Sequence, residues 1–255
     1  MSFSIDWLAL RAPADDAARH PAPVERLAAW AAARASAAPL RVVDLGAGTG
    51  ATHRALAPHL PGAEWTLVDA DPDLLAEAAR ATGARTLRVD LAQDIETAVE
   101  TADLLTASAF FDLVSHAWLR RFAAALPPHA AVYAALTYDG RERWSPPHPA
   151  EPQALSAFHA HMRRDKGLGP ALGPNAPAAL AAVLADRDVT LAPSPWRLGP
   201  ADGALIAQLV DGAAEAVAQT GRLAPEALES WRESRRDSHR AEVGHVDLLA
   251  LPRGG

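Results

Sequence analysis

A glycine-rich stretch flanked by an apolar run and a helical pattern is the first candidate for chemistry in this sequence. It reads VVDLGAGTGATHRAL, with Gly46, Gly48 and Gly50 in its turn, and Asp69 ends the next apolar run. Glycines let the backbone approach a ligand closely, and a carboxylate at the tip of the second strand can accept hydrogen bonds from ribose hydroxyls. This spacing predicts a nucleoside site, although a tight turn with no ligand would use the same glycines.

The carboxylate of Asp44 stands just before this turn and narrows the choice of nucleoside. A negative charge there would repel a pyrophosphate, whereas it suits a cofactor whose tail carries an ammonium group. S-adenosylmethionine (SAM) has no phosphate and is positively charged at both nitrogen and sulfur. The looser dinucleotide pattern, met by Gly46, Gly48 and Ala51, keeps an NAD-dependent oxidoreductase open as an alternative.

Four motifs succeed one another, in the order of one enzyme family, over about residues 40 to 115. They are the acidic-x-Gly-x-Gly-x-Gly motif that begins at Asp44, then LVDADPDLL, RVDLAQDI and ADLLTASAFFDLVS. On these motifs the chain resembles the class I SAM-dependent methyltransferases. The resemblance implies SAM as the cofactor and S-adenosyl-L-homocysteine (SAH) as its product. It also implies in-line transfer of a methyl group to an oxygen, nitrogen or carbon of a small-molecule acceptor.

The resemblance assigns the cofactor contacts as well. Asp69 becomes the ribose carboxylate, Asp90 and the backbone of Leu91 meet the adenine, and Ser108 and Ala109 lie beside the methionine moiety. Asp90 could instead do no more than cap a turn. The full set of expected cofactor residues is Asp44, Gly46, Ala47, Gly48, Gly50, Asp69, Ala70, Asp90, Leu91, Ser108 and Ala109.

Short apolar runs alternate with alanine-rich helical patterns as far as residue 138, which predicts an α/β fold with helices on both faces of a mostly parallel sheet. The candidate strands are 40–45, 64–69, 85–89, 102–106 and 130–137. The resemblance adds 189–192 and 245–251 as an antiparallel edge, so we expect seven strands with the last one antiparallel. We expect a single domain over 1–255, with a helical lid at 1–38, a cofactor core at 39–138, helical insertions that form a substrate cap at 139–187 and 199–240, and terminal strands at 188–198 and 243–252.

A second cluster of polar residues, FHAHMRRDKGLGPALGP, lies at 158–174. Its part HAHMRRDKGLG, together with TYDGRERWSPPHP at 137–149, is expected to wall the acceptor pocket. The cluster does not match a phosphate loop, and His159 and His161 point to different faces of a helix, so no metal site is predicted. Either histidine is a candidate base, and Arg163 or Lys166 could bind an anionic group on the acceptor. The alternative is a solvated helix end whose cations complement the helix dipole.

Three other regions supply candidates for the acceptor site. Asp112 is a candidate base, or else the N-cap of the next helix. Tyr138 and Trp144 stand near the ends of elements, where pockets form. Arg11 belongs to a leading helix that could cover the cofactor and the acceptor, or that could be a solvated helix with internal ion pairs.

Composition limits the kinds of partner. A net charge of −7 argues against broad nucleic-acid binding, and the chain has no cysteine for disulfides or thiolate metal sites. The sequence has neither a signal-peptide pattern nor a membrane-span pattern, so we expect a cytoplasmic protein with no membrane partner. We interpret the chain as a SAM-dependent methyltransferase for a small molecule, and a non-catalytic SAM-binding protein is the second alternative. No pattern in the sequence predicts an oligomeric state.

Overall fold

The structure is a computed structural model that describes residues 3–34 and 38–253. The two ends of the expected domain, 1–2 and 254–255, and one part of the expected lid, 35–37, lie outside the described residues. The strands are β1 Arg41–Leu45, β2 Glu64–Asp69, β3 Arg85–Arg88, β4 Leu104–Ser108, β5 Ala131–Ser145, β6 Asp188–Pro193, β7 Trp196–Leu198 and β8 Arg240–Leu251. The helices are α1 Ile5–Ala18, α2 Pro21–Ala33, α3 Ala51–Leu56, α4 Pro72–Thr82, α5 Ile95–Val99, α6 His116–Ala125, α7 Glu151–Met162, α8 Ala176–Val183, α9 Gly203–Ala218 and α10 Pro225–Arg236.

One twisted sheet runs in the order β3-β2-β1-β4-β5-β8-β6, and β7 pairs with β8 beside that path. The strands from β3 to β5 pair in parallel, whereas β8 is antiparallel to β5, β6 and β7. This arrangement confirms the predicted α/β fold class with its antiparallel end. The described residues form eight strands where we expected seven, because the three-residue β7 is too short to show a strand pattern in the sequence.

Both faces of the central parallel strands β1 and β4 are buried, which explains why their sequences are mostly apolar runs rather than alternating patterns. In β1, Val42 packs on one face and its neighbour Val43 on the other. Leu104 and Leu105 divide between the same two faces in β4. Helices α2, α3 and α4 cover one face, and α5, α6 and α8 cover the other.

Strand β5 is longer than its apolar pattern suggests and replaces the start of the expected helical insertion. Residues 139–145, which we expected to open that insertion, continue the strand and pair with Arg240–Val243 of β8. The register shifts twice along this pair, between 134 and 137 and again between 138 and 142, as bulges do when they redirect a strand. The extension carries the side chains of Tyr138 and Trp144 beyond the edge of the parallel sheet.

An outer apolar cluster lies above the carboxyl ends of the parallel strands. Side chains of the β5 extension, β7 and β8 pack there against α9 and the inner side of α1. Helices α7 and α10 pack against α9 in a further cluster. No helix in the described part of the chain is long and apolar enough to cross a membrane.

Candidate functional site

A cavity of about 610 Å³ lies at the carboxyl ends of β1, β2 and β4, under the N-terminal part of α1. We call it the glycine-loop cavity. Nine of the residues that the sequence assigned to a nucleoside line it, namely Gly46, Ala47, Gly48, Asp69, Ala70, Asp90, Leu91, Ser108 and Ala109. The parallel sheet brings them together from four separate motifs, because ligands in open α/β sheets bind beyond the carboxyl ends of the strands.

The glycine turn is shaped by positive backbone angles and by a neighbouring ring. Gly46 has φ +61°, and a Cβ there would lie 2.7 Å from the ring of Phe110. Gly50 has φ +81° and begins α3 as its N-cap, where a Cβ would meet the Thr82 side chain at 2.8 Å. Gly46 therefore keeps the cavity floor open, whereas Gly50 shapes the turn without lining the cavity.

The carboxylate of Asp69 stands at the end of β2, facing the glycine turn. One oxygen accepts a hydrogen bond from Gly48 N at 2.9 Å, and the other accepts from Asp71 N at 3.1 Å. Each carboxylate oxygen can accept more than one hydrogen bond. Asp69 therefore fixes the glycine turn and retains capacity for hydroxyl donors in the cavity.

Asp44 lies beneath the turn and not on the cavity wall. Its side chain is fully buried, Thr106 donates a hydrogen bond to Oδ1 at 2.7 Å, and Oδ2 has no hydrogen-bond partner among the described residues. Burial raises the pKa of Asp44 to about 7, and the positive charge of Arg19 opposes that rise. Arg19 also donates to the Ser108 hydroxyl at 3.4 Å, so it connects the buried carboxylate to the cavity wall.

Asp90 and Leu91 form the far wall of the glycine-loop cavity. Asp90 Oδ1 accepts a hydrogen bond from Ala92 N at 2.9 Å, so this residue does cap a turn, as the alternative interpretation required. Asp90 also lines the cavity, so the turn and a ligand contact are compatible. The carbonyl of Leu91 accepts from the Trp118 indole at 2.6 Å, which anchors this wall to α6.

A second, larger cavity of about 1040 Å³ opens beside the first, above β5 and β8 and between α1, α7 and α9. We call it the aromatic chamber because six aromatic side chains line it, namely Phe3, Trp7, Tyr138, Trp144, Phe158 and Trp196. The two cavities share five lining residues, which are Phe3, Arg11, Ala109, Leu113 and Lys166. We call this shared region the junction, and it joins the two cavities into one continuous site.

Two residues with unusual backbone angles line the chamber beside the junction. Ala109 follows β4 with φ +50°, and Leu136 in β5 has φ +53°. Positive φ is costly for residues with a Cβ and is concentrated at functional sites. At Leu136 the conformation is held by buried Asp247, which accepts a hydrogen bond from Leu136 N at 2.8 Å.

Asp112 lines the chamber next to the junction. It lies in a short 3-10 turn and does not cap α6, since the N-cap of that helix is Ser115. Its side chain is buried, and Oδ1 has no hydrogen-bond partner in the described part of the chain. Burial raises the pKa of Asp112 to about 6, while the Arg11 guanidinium partly opposes that rise. The N-cap alternative is therefore wrong, and a carboxyl group that titrates near neutrality faces the chamber.

The other expected acceptor residues are divided between the chamber and its surroundings. Tyr138, Trp144, His161 and Lys166 line the chamber, and His161 Nε2 lies 3.0 Å from Gln219 Oε1. Lys166 forms no hydrogen bond or ion pair with another described residue, so its ammonium group is free at the junction.

Two of the expected acceptor residues lie outside both cavities. His159 Nε2 lies 3.0 Å from the Tyr138 hydroxyl, and burial lowers the pKa of this histidine. Arg163 is exposed at the C-cap of α7, and its side chain packs near Gly173. The two histidines do face different sides of α7, as predicted, and no group of three metal-binding side chains is present within 3–34 and 38–253.

Arg11 reaches the junction from α1 while remaining tied to its own helix. Its guanidinium pairs with Asp15 at 2.8 Å and lies 5.1 Å from the centroid of the Trp196 ring. Asp15 in turn accepts a hydrogen bond from the Trp196 indole at 3.0 Å. The ion pair that the solvated-helix alternative required is present, and it is buried against β7 instead of facing solvent.

Two chamber residues were not identified from the sequence. His245 lies on β8 beside Trp196, with 5.0 Å between ring centroids, and burial lowers its pKa to about 3, so the imidazole is neutral at physiological pH. Glu142, on the β5 extension, accepts hydrogen bonds from the Tyr138 hydroxyl and the Trp144 indole, both at 2.9 Å. A polar residue inside the otherwise apolar run GHVDLLAL was the available signal for His245, whereas Glu142 lies in a polar segment that gave no signal.

The negative charge of Glu142 is compensated by Arg235, whose side chain is almost completely buried. Arg235 of α10 lies 3.4 Å from Glu142 and also pairs with Glu151 of α7. Its guanidinium is sandwiched between Trp144, at 3.9 Å from the ring centroid, and Trp231, at 4.7 Å. The Arg235 network therefore joins α7 and α10 to the chamber wall.

Comparison with known proteins identifies the domain that contains the glycine-loop cavity. Residues 43–132 match the family model of a methyltransferase domain. No curated protein matches the sequence. Among solved structures, the YcgJ protein from Bacillus subtilis matches with a TM-score of 0.53 at 14% identity over 92% of this chain and 100% of the other. That likeness shows the fold.

Two further solved structures match over most of both chains. One is a SAM-dependent methyltransferase from Thiobacillus denitrificans in complex with S-adenosyl-L-homocysteine, at 17% identity and a TM-score of 0.48, covering 98% of this chain and 100% of the other. The other is the plantazolicin methyltransferase BpumL in complex with SAH, at 15% identity and a TM-score of 0.49, covering 97% of this chain and 88% of the other.

Residues 43–132 therefore match a methyltransferase domain, and the sheet order and the four motifs around the glycine-loop cavity agree with the resemblance to class I SAM-dependent methyltransferases. The cofactor that this resemblance implies is SAM, whose sulfonium would supply an activated methyl group. The residues present fit that cofactor because a Cβ at Gly46 would collide with the Phe110 ring beside the cavity, because Asp69 retains acceptor capacity for a ribose, and because Asp44 beneath the turn disfavours a pyrophosphate.

Proposed function

We propose that this protein is a SAM-dependent methyltransferase that methylates a small molecule bound in the aromatic chamber, with the reacting group at the junction. The observation that carries this proposal is that the two cavities share Ala109, Leu113 and Lys166 among their lining residues. Methyl transfer requires the nucleophile to lie in line with the activated methyl group in a space that excludes water. The junction is the region where groups from both cavities can meet.

The cofactor would be held by residues of the glycine-loop cavity. Asp69 accepts the ribose hydroxyls, Asp90 and the Leu91 backbone meet the adenine, and Ala70 packs beside them. Gly46, Ala47 and Gly48 allow the backbone to approach, and Gly50 shapes the turn. Ser108 and Ala109 lie beside the methionine moiety. Asp44 acts from beneath as a negative charge that favours the ammonium group, in company with Arg19.

Asp112 is the group that we assign as general base. Bound SAM would supply an activated methyl group to an oxygen or nitrogen of the acceptor and would leave as SAH, while the Asp112 carboxylate would take up the proton that the acceptor loses. Its pKa of about 6 suits this role, because a base is most effective when its pKa lies near the working pH. His161 is the second candidate on the chamber wall, and His159 would act only through Tyr138.

Lys166 is proposed to bind an anionic group on the acceptor. It is a free cation at the junction, and burial lowers its pKa, so that an anionic partner would stabilise its charged form. Tyr138 and Trp144 provide apolar contact area, and Arg11 contributes from α1, which covers both cavities. Arg163 could contribute only at the outer rim, since it lies outside both cavities.

Transfer of a labelled methyl group from SAM to a panel of small phenols, amines and carboxylic acids tests this proposal. We expect at least one labelled product. For an acceptor that bears a carboxylate, we expect kcat/KM to fall about tenfold in the Lys166→Ala variant, because one charge-assisted contact is lost. SAH affinity should stay within about twofold, because the contact is to the acceptor. The matched control is Arg120→Ala, which removes an exposed cation from α6.

Two outcomes would contradict the assignments. If Lys166→Ala weakened SAH binding as strongly as transfer, Lys166 would serve the cofactor and not the acceptor. If SAH bound and the panel gave no labelled product, while a protein or nucleic acid accepted the label, the small-molecule proposal would be wrong.

A further inference from the structure

The aromatic chamber is too large and too rich in rings for a small aliphatic acceptor. Its volume of about 1040 Å³ exceeds the 610 Å³ of the glycine-loop cavity and lies at the upper end of the range for drug-sized ligands. The whole chain has only seven tryptophans, five phenylalanines and two tyrosines, and six of these aromatic residues line the chamber. Aromatic side chains are thus concentrated around this one space.

The rings of the core pack on one another, whereas the rings of the chamber line a cavity. In the core, Phe111 stands edge-on to Trp118 at 6.4 Å, and Trp118 and Phe122 stack with 5.6 Å between their centroids. In the chamber, Tyr138 stands edge-on to Phe158 at 6.3 Å and to His245 at 6.1 Å, and these three rings surround open space. Planar ligands bind among rings so placed through offset-stacked and edge-to-face contacts.

Three arginine and glutamate residues near these rings are paired with neighbouring residues, while Glu215, which also lines the chamber, is exposed to solvent. Arg11 is paired with Asp15, and Glu142 is paired with Arg235. Arg232, toward the outside, is paired with Asp211 at 2.9 Å. The walls of the chamber therefore favour an uncharged, flat body, and charge on the ligand is directed to the junction.

The carboxylate of Asp112 supplies a hydrogen-bond acceptor beside the junction. Asp112 is buried, precedes the junction residue Leu113, and has one carboxylate oxygen without a partner among the residues described. A buried carboxylate without a partner is costly, and a donor hydrogen on a ligand would relieve that cost. A reacting group that carries its own hydrogen therefore fits this position.

We infer that the acceptor is a compound with a planar ring system whose reacting group is an O–H or N–H, held with its rings among the aromatic side chains and its reacting group at Asp112. This inference rests on the proposed function and narrows it. It excludes aliphatic acceptors, and it also excludes acceptors that react at carbon and carry no O–H or N–H group. The chemistry of bond making is the transfer already described, with the proton going to the Asp112 carboxylate.

Three probes that share one carbon skeleton test the inference by calorimetric titration of the SAH-saturated enzyme. 2-Naphthol has planar rings and an O–H group, decahydro-2-naphthol keeps the O–H but loses the planar rings, and 2-methoxynaphthalene keeps the rings but loses the O–H. We expect 2-naphthol to bind at least about tenfold more tightly than either of the other two. A chamber that selected only for apolar surface would prefer the more hydrophobic decahydro compound.

Ring-removing variants locate the binding. Phe158→Leu and Trp7→Leu each keep apolar bulk in a partly buried side chain, and we expect each to weaken 2-naphthol binding at least about threefold while binding of the decahydro compound is unchanged. The control is Trp30→Leu on α2, whose ring packs against Arg34 away from both cavities. Asp112→Asn should remove the preference for 2-naphthol over its methyl ether.

The inference is overturned if decahydro-2-naphthol binds as tightly as 2-naphthol, or if both ring-removing variants bind 2-naphthol as the wild type does. SAH binding measured on the same samples separates this failure from that of the proposed function. SAH binding without ring preference removes only the inference about the acceptor, whereas absence of SAH binding would contradict both.

Discussion

At the scale of single residues, burial decides how the carboxylates of the site behave. Asp44, Asp112 and Glu142 are all buried, and burial raises the pKa of each. Their surroundings differ: Glu142 is paired with Arg235, and Asp44 lies on neither cavity wall, whereas Asp112 lines the chamber and has one oxygen with no partner among the residues described. Asp112 is therefore the carboxylate whose ionisation most directly affects the acceptor.

The pH dependence of turnover should follow Asp112. Because a base acts in its ionised form, kcat/KM should rise as the pH increases through about 6 and level off above it. Asp112→Asn should lower the plateau by about 10²-fold or more and abolish this acidic limb. Rate profiles of both proteins between pH 5 and 9, on an acceptor from the transfer panel, would check this; a variant that kept the acidic limb would show that another group titrates.

Stability should change in the opposite direction in the same variant. A carboxyl whose folded-state pKa is raised stabilises the fold below its unfolded value of 3.8, and that contribution is lost as the pH rises through about 6. Asp112→Asn should therefore raise the free energy of unfolding at pH 8 by up to about 2–3 kcal/mol, with little gain at pH 4. Urea unfolding at the two pH values measures the difference, and an equal change at both would contradict the burial argument.

At the scale of elements, the chamber is built by segments that follow the cofactor core in sequence or precede it. Helix α1 contributes Arg11 and packs on β7 through Asp15 and Trp196. The β5 extension supplies Tyr138 and Glu142, and α7 and α10 meet it through Arg235. The chamber wall is thus held by polar contacts between helices and strands that are far apart in the sequence.

The Arg235 network should therefore matter more to stability than the exposed ion pairs of the same helix. Removing one partner of a buried pair leaves the other charge uncompensated, so Arg235→Met should cost about 3–5 kcal/mol of unfolding free energy. Arg232→Met, one turn earlier on α10 and more exposed, should cost about 0–1 kcal/mol. Equal losses for the two variants in denaturant titrations would show that the buried network does not hold the wall.

At the scale of the whole molecule, the sequence predicted the parallel core well and the outer chamber poorly. The central strands were predictable because both of their faces are buried, which makes their sequences mostly apolar. The edge strand β3 and the glycine turn were predictable because the cofactor motifs that contain or adjoin them are local in the sequence. The extension of β5 through 139–145 could not be predicted from the sequence, because its polar residues are typical of a loop. They form a strand here because part of the segment pairs with β8. His245 and Arg235 join the site only through tertiary contacts, which no local spacing shows.

Binding of SAM through Asp69 at the glycine loop underlies every other assignment, and calorimetric titration with SAH and with NAD tests it. We expect saturable binding of SAH and none of NAD.

Asp69→Ala should weaken SAH binding by at least about 100-fold, because hydrogen bonds between a carboxylate and the ribose hydroxyls are lost together with the hydrogen bond that holds Gly48 N. Glu77→Ala, which removes a partly exposed carboxylate from α4 outside both cavities, should leave the affinity unchanged. Binding of NAD but not SAH, or an unchanged SAH affinity in Asp69→Ala, would show that the cofactor site is assigned wrongly.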